Sequence, residues 1–127
     1  MSFGDDHKLE TYKSLVTYGL TGLKFVLAVN GGAAIAIMTF LGHLLANGRT
    51  DIPDLRAPLI MFLIGVVVGG VAILTTYFTQ LRLFNESFGR QMKGPTSDVW
   101  LYHSIALLIV GLALFGVGSI LAVWRMQ

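Results

Sequence analysis

The chain has 127 residues, of which 54% are hydrophobic and only 13% are charged, whereas soluble domains usually carry about 25% charged residues. This composition favours a membrane protein of a single domain over residues 1–127. A net charge of +2 and the absence of a basic cluster with interleaved aromatic residues argue against a nucleic-acid partner. Since there are no cysteines, disulfides and thiolate chemistry are excluded.

The first predicted helix covers residues 9–46 and changes character along its length. Up to Lys24 it is amphipathic, and from Phe25 to Ala46 it has no Asp, Glu, Lys or Arg before Asn47-Gly48 ends it. A helix over 9–46 is about 57 Å long, nearly twice the ~30 Å hydrocarbon core of a bilayer. Its polar face carries Glu10, Lys13, Ser14, Thr17, Thr21 and Lys24.

Two further helices are predicted from runs without charged residues. The runs cover 57–81 and 99–124, and each exceeds the ~20 residues that cross a hydrocarbon core. Lipid offers the backbone no hydrogen-bond partners, and the runs lack the alternation of barrel strands, so both must be helices. The predicted bounds are 56–92 and 98–125, because an apolar stripe continues the second helix to Met92. The fold class is therefore all-α, with three transmembrane helices.

The distribution of basic residues predicts the orientation. The N-terminus and the second loop share one side, which carries six basic residues, whereas the first loop and the C-terminus share the other, which carries three. The positive-inside rule then places the N-terminus in the cytoplasm and the C-terminus outside, in an inner or plasma membrane. Helices one and two are both expected to extend beyond the bilayer on the cytoplasmic side.

Four polar residues of helix one are candidates for a functional lining: Thr17, Thr21, Lys24 and Asn30. Lys24 lies at the edge of the apolar stretch or inside it, where a cation indicates either a pore or a partner. We favour the alternative, in which the long aliphatic stem of Lys24 lets its ammonium group reach the cytoplasmic interface. Asn30 lies deeper, and we expect it to form hydrogen bonds between helices.

Small residues at helical spacing predict contacts between helices. In lipid, helices associate by close packing, and small residues let their backbones approach. The packing of three helices within one chain needs fewer small residues than these, so part of the set is expected to contact another chain. The predicted packing residues are Ala28, Gly32 and Ala36 in helix one, Gly65 and Gly69 in helix two, and Gly111 and Gly118 in helix three.

No set of nucleophile, base and orienting group is visible, so the chain is not expected to be an enzyme. His43 and His103 fall at opposite ends of the predicted spans, and His7 and His103 are a weak pair of ligands. We therefore expect no metal and no cofactor. The absence of a membrane-buried carboxylate also lowers the case for a proton or ion transporter.

Two functions are compatible with these patterns. The first is a small homo-oligomeric membrane protein that forms a pore, with the polar face of helix one lining a cytoplasmic vestibule. The second is an accessory or scaffold subunit of a larger membrane complex, in which the small residues dock on the helices of other subunits. Its partners are then the lipid bilayer and either further copies of itself or other membrane subunits.

Overall fold

The computed structural model describes residues 3–89, 94 and 97–127 of the chain. It contains three α-helices, α1 (Phe3–Ala46), α2 (Arg56–Ser87) and α3 (Ser97–Met126). Each helix is long and apolar enough to cross a membrane. The prediction of an all-α chain with three helices of this kind is confirmed, and the three helices together suggest a multi-pass membrane protein.

The helix bounds differ from those predicted at two ends. The first helix begins at Phe3 and not at Leu9, with Asp5 and Asp6 in its first turn, where acidic side chains stabilise a helix N-terminus. The second helix ends at Ser87, because Gly89 adopts a left-handed conformation with φ of +66° and so stops the helix. The part of the predicted helix from 90 to 92 lies outside the described residues.

Helices α2 and α3 form an antiparallel hairpin in which the two charge-free runs lie side by side. Phe62 packs against Gly118 near one end. Near the other end, Thr75 Oγ1 lies 2.8 Å from Ser104 Oγ, and the rings of Phe78 and Trp100 have centroids 5.2 Å apart. The start of the run 57–81 therefore lies beside the end of the run 99–124, and the end of the first run lies beside the start of the second.

Helix α1 packs on this hairpin mainly through its central part. Its buried residues are Leu23, Val26, Asn30, Ala34 and Ile37, and of residues 3–22 none is buried. Leu27 contacts Gly69, and the Asn30 amide reaches the Gly111 carbonyl. Gly69 and Gly111 lie at the middle of the charge-free runs of α2 and α3, a position that we term the central level. Residues 27–30 of α1 therefore lie at the central level.

The loop between α1 and α2 returns to the end of α3. Leu55 is buried in a cluster with Ile37 and Ala122, and the Asp54 carboxylate lies 3.9 Å from the Arg125 guanidinium. Within the loop, two hydrogen bonds from Arg49 to Asp51 lower the pKa of the Asp51 carboxyl. These contacts hold the first loop and the C-terminal end of α3 at the same end of the molecule.

Candidate functional site

Asn30 joins the three helices at the central level. Its side chain is fully buried, and its Nδ2 donates hydrogen bonds to the Val26 carbonyl at 2.9 Å and to the Gly111 carbonyl at 3.2 Å. Its Oδ1 has no hydrogen-bond partner among the described residues and occupies the place where a Cβ on Gly65 would lie. The hydrogen that glycine carries there points at this oxygen, as in a weak Cα–H···O contact.

At three other glycines, a side chain of another helix also packs close to the position where a Cβ would lie. Leu27 Cδ2 lies 2.8 Å from the position of a Cβ on Gly69, and Val26 Cγ1 lies 2.5 Å from that of Gly111. Phe62 Cε1 lies 2.9 Å from the equivalent position on Gly118. The structure therefore places the predicted packing residues of helices two and three at helix contacts within one chain.

The predicted packing residues of helix one lie elsewhere. Ala28, Gly32 and Ala36 are all exposed, and a Cβ added to Gly32 would meet no described atom within 4 Å. They face away from α2 and α3, on the side of α1 opposite to Asn30. A contact of these three residues with another chain stays a prediction.

Thr17, Thr21 and Lys24 are exposed on the same outward side of α1. The Thr17 and Thr21 hydroxyls donate to the carbonyls one turn earlier, at 3.0 and 2.9 Å, so each has a partner even away from water. The sequence grouped Asn30 with these residues by polarity. The structure separates it from them, because Asn30 is buried against α2 and α3.

Lys24 lies within two helical turns of the central level. It precedes Leu27 by three residues and Asn30 by six, and those two residues mark the central level, so its Cα lies roughly 5 to 9 Å from that level at 1.5 Å per residue. The sequence placed Lys24 at the edge of the apolar stretch of helix one or inside it. The side chain is exposed and so does not pack into its own helix bundle.

Together these residues form one continuous surface, which we term the outer face of α1. Its residues are polar toward the N-terminus and have small side chains, or none, toward the middle of the helix. A 100° turn per residue places all of its members within about a third of the helix circumference. The outer face comprises Thr17, Thr21, Lys24, Ala28, Gly32 and Ala36.

A group of hydroxyls between α2 and α3 was missed by the sequence analysis. Thr75 and Ser104 share a hydrogen bond of 2.8 Å, and Thr75, Thr76 and Thr79 also donate to carbonyls of their own helix. The signal that could have identified the group is the clustering of three threonines within an otherwise apolar span.

Among the residues that the structure describes, no three His, Asp or Glu side chains lie together as metal ligands would. His43 Nε2 lies 3.0 Å from Asn47 Nδ2, and His103 Nδ1 lies 2.8 Å from the Val99 carbonyl. Each ring thus interacts with a residue one turn away in the same part of the chain.

Comparisons of the chain with protein-family models, with curated proteins and with solved structures gave no match.

Proposed function

We propose that this chain is a homo-oligomeric membrane protein in which the outer faces of α1 from several copies surround a water-filled pore. The observation that carries the proposal is the position of Lys24. It lies close to the central level, yet it points away from the helices of its own chain. Thr17 and Thr21 continue the polar lining toward the N-terminus.

The cost of exposing a lysine to lipid supports this arrangement. A lysine at the centre of a bilayer costs about 2.5 to 3.5 kcal/mol on insertion scales, and residues of this type usually face a bundle interior or a water-filled cavity. The runs 57–81 and 99–124 contain no carboxylate that could pair with it. In an oligomer the lysines of neighbouring copies would repel one another, so they need water between them. A hydrated lumen meets that need.

The small part of the outer face supports contact between copies. Ala28 has a short side chain and Gly32 has none. Both residues are exposed, and a Cβ on Gly32 would meet no described atom within 4 Å. Close approach of helices in membranes uses residues of this size. Copies inserted in the same direction present identical residues at identical depth, so Ala28 would approach Ala28 of a neighbouring copy beside the narrowest part of the pore.

The positive-inside rule supports an N-terminus in the cytoplasm and a C-terminus outside. In this orientation the first turns of α1 and the last turns of α2 extend toward the cytoplasm and form a vestibule. The exposed polar side chains of Glu10 and Lys13 suit that location. The membrane would be the inner or plasma membrane.

A second arrangement is favoured by the same lysine. In an accessory subunit, Lys24 would pair with a carboxylate on a helix of a different protein, and Ala28 and Gly32 would dock on that helix. Buried pairs of this kind in membranes usually mark subunit contacts or ion pathways. The two arrangements differ in whether the purified chain alone conducts ions.

Ion flux through the purified protein in liposomes tests the pore. A ring of lysines favours anions, so we expect chloride to permeate better than potassium, Lys24→Gln to lose this preference and Lys24→Glu to reverse it. Lys8→Glu is the matched control, because it makes the same charge change away from the outer face of α1. A reversal potential that Lys24→Glu leaves unchanged, or oligomers that pass no ions, would rule out the pore and favour the accessory subunit.

A further inference from the structure

A cleft separates the N-terminal part of α1 from the α2–α3 hairpin. Its volume is about 540 Å³. At its deep end α1 meets α3, where Leu108 Cδ1 lies 3.0 Å from the position of a Cβ on Gly22. One turn earlier, a Cβ on Gly19 would meet no described atom within 4 Å. Helix α1 thus diverges from the hairpin toward its own N-terminus and leaves a wedge open.

The wedge covers one half of the charge-free runs. Along α3 its lining extends from Asp98 to Leu108, a length of about 15 Å at 1.5 Å per residue. Leu108 lies one turn from Gly111, at the central level, and Asp98 lies just before the charge-free run begins. Since a hydrocarbon core is about 30 Å thick, the wedge has the length of one leaflet.

The chemistry of the lining changes with depth. The deep and middle parts are formed mainly by apolar side chains, including Leu23, Ile105 and Leu108. The hydroxyls that also line the wedge, those of Thr76, Thr79 and Ser104, donate hydrogen bonds to carbonyls of their own helices. The mouth carries the Asp98 carboxylate and also Tyr12 and Gln80, whose hydroxyl and amide oxygen are 3.4 Å apart. An apolar wedge with a polar mouth that carries a carboxylate matches an amphiphile whose tail points toward the centre and whose headgroup contains an ammonium group.

The narrowing of the wedge toward its deep end favours a thin occupant. A helix with its side chains is about 10 to 12 Å in diameter, whereas α1 and α3 already meet at Gly22 and Leu108. An acyl chain is much thinner than a helix and has the required length. The surrounding medium at this depth of a bilayer is itself made of acyl chains.

We propose that the wedge binds one phospholipid from the leaflet on the N-terminal side, with an acyl chain between α1 and α3 and an ammonium headgroup at Asp98. The ammonium group of an ethanolamine headgroup complements the Asp98 carboxylate. The Tyr12 hydroxyl and the Gln80 amide offer hydrogen bonds to the same headgroup region. The site is on the side of α1 opposite to the outer face, so it does not depend on the pore.

Native mass spectrometry of the full chain tests this site. The protein would be extracted from nanodiscs that contain equal amounts of an ethanolamine and a glycerol phospholipid with the same acyl chains. We expect one retained ethanolamine lipid per chain. Gly19→Leu, which places a side chain in the wedge, should lower the retained fraction several-fold. Asp98→Asn should reduce the preference for ethanolamine about two- to fivefold, the range of a partly exposed ion pair.

Gly116→Leu is the matched control, since Gly116 is exposed on α3 and a Cβ there would meet no described atom within 4 Å. It should retain lipid as the natural chain does. The proposal is overturned if no lipid is retained, if Gly19→Leu and Gly116→Leu retain equal amounts, or if Asp98→Asn leaves the headgroup preference unchanged. Circular dichroism of Gly19→Leu measures its helical content and so distinguishes a loss of lipid binding from a loss of folding.

Discussion

Gly65→Ala should lower the free energy of unfolding by about 1 to 3 kcal/mol, the usual cost of overpacking a tight contact. The added Cβ would coincide with Asn30 Oδ1. Asn30 cannot move aside freely, because its Nδ2 is held by the carbonyls of Val26 and Gly111. Reversible unfolding in mixed micelles, followed by circular dichroism, measures this change.

A double-mutant cycle with Asn30→Ala identifies the cause. Removing the Asn30 side chain frees the space at Gly65, so Gly65→Ala should cost much less in that background, and the two changes should not be additive. Gly116→Ala is the control, because a Cβ at Gly116 meets no described atom within 4 Å. Equal costs of Gly65→Ala with and without Asn30 would contradict the packing described for the central level.

Ala28→Cys should form a disulfide between copies in high yield when the protein is oxidised in the membrane. Copies in the same orientation would bring residue 28 of two α1 helices to the same depth, and the small neighbours on the outer face allow close approach. The chain has no natural cysteine, so any cross-linked dimer on a gel comes from the introduced residue.

Val67→Cys is the matched control for this experiment. Val67 is 64% exposed and lies two residues from Gly69, so it is at a similar level but on the outward side of α2. It should give little dimer. Equal cross-linking at both positions would indicate random collisions. Failure at Ala28 together with dimer formation at Val67 would place the contact between copies on α2 and contradict the proposed use of the outer face.

The number and type of the helices follow directly from the sequence. Runs without charge over 57–81 and 99–124, separated by Gly94-Pro95, have no stable alternative to helices in lipid. The end of α2 was less predictable, because the apolar stripe through Phe84 and Phe88 carries the helical pattern past the point where Gly89 stops it. Local backbone conformation at one glycine outweighed the side-chain pattern.

The alignment of α1 against the hairpin could not be predicted. Hydropathy treats each helix alone and puts the middle of the first span beyond Asn30, whereas packing of Leu27 on Gly69 and of Asn30 on Gly111 puts it earlier. By this alignment Lys24 lies within two helical turns of the central level. The separation of Asn30 from Lys24 was available from the sequence, because six residues of helix turn the two side chains about 120° apart.

The mass of the detergent-solubilised protein, purified alone and measured by light scattering with the detergent contribution subtracted, tests self-association most directly. The natural chain has a mass of 13.8 kDa. Assembly around the outer face of α1 predicts a discrete multiple of that mass, which Gly32→Leu reduces while the helical content stays unchanged. A natural chain that is monomeric at 13.8 kDa would contradict the homo-oligomeric pore and leave Lys24 to be paired by a different protein.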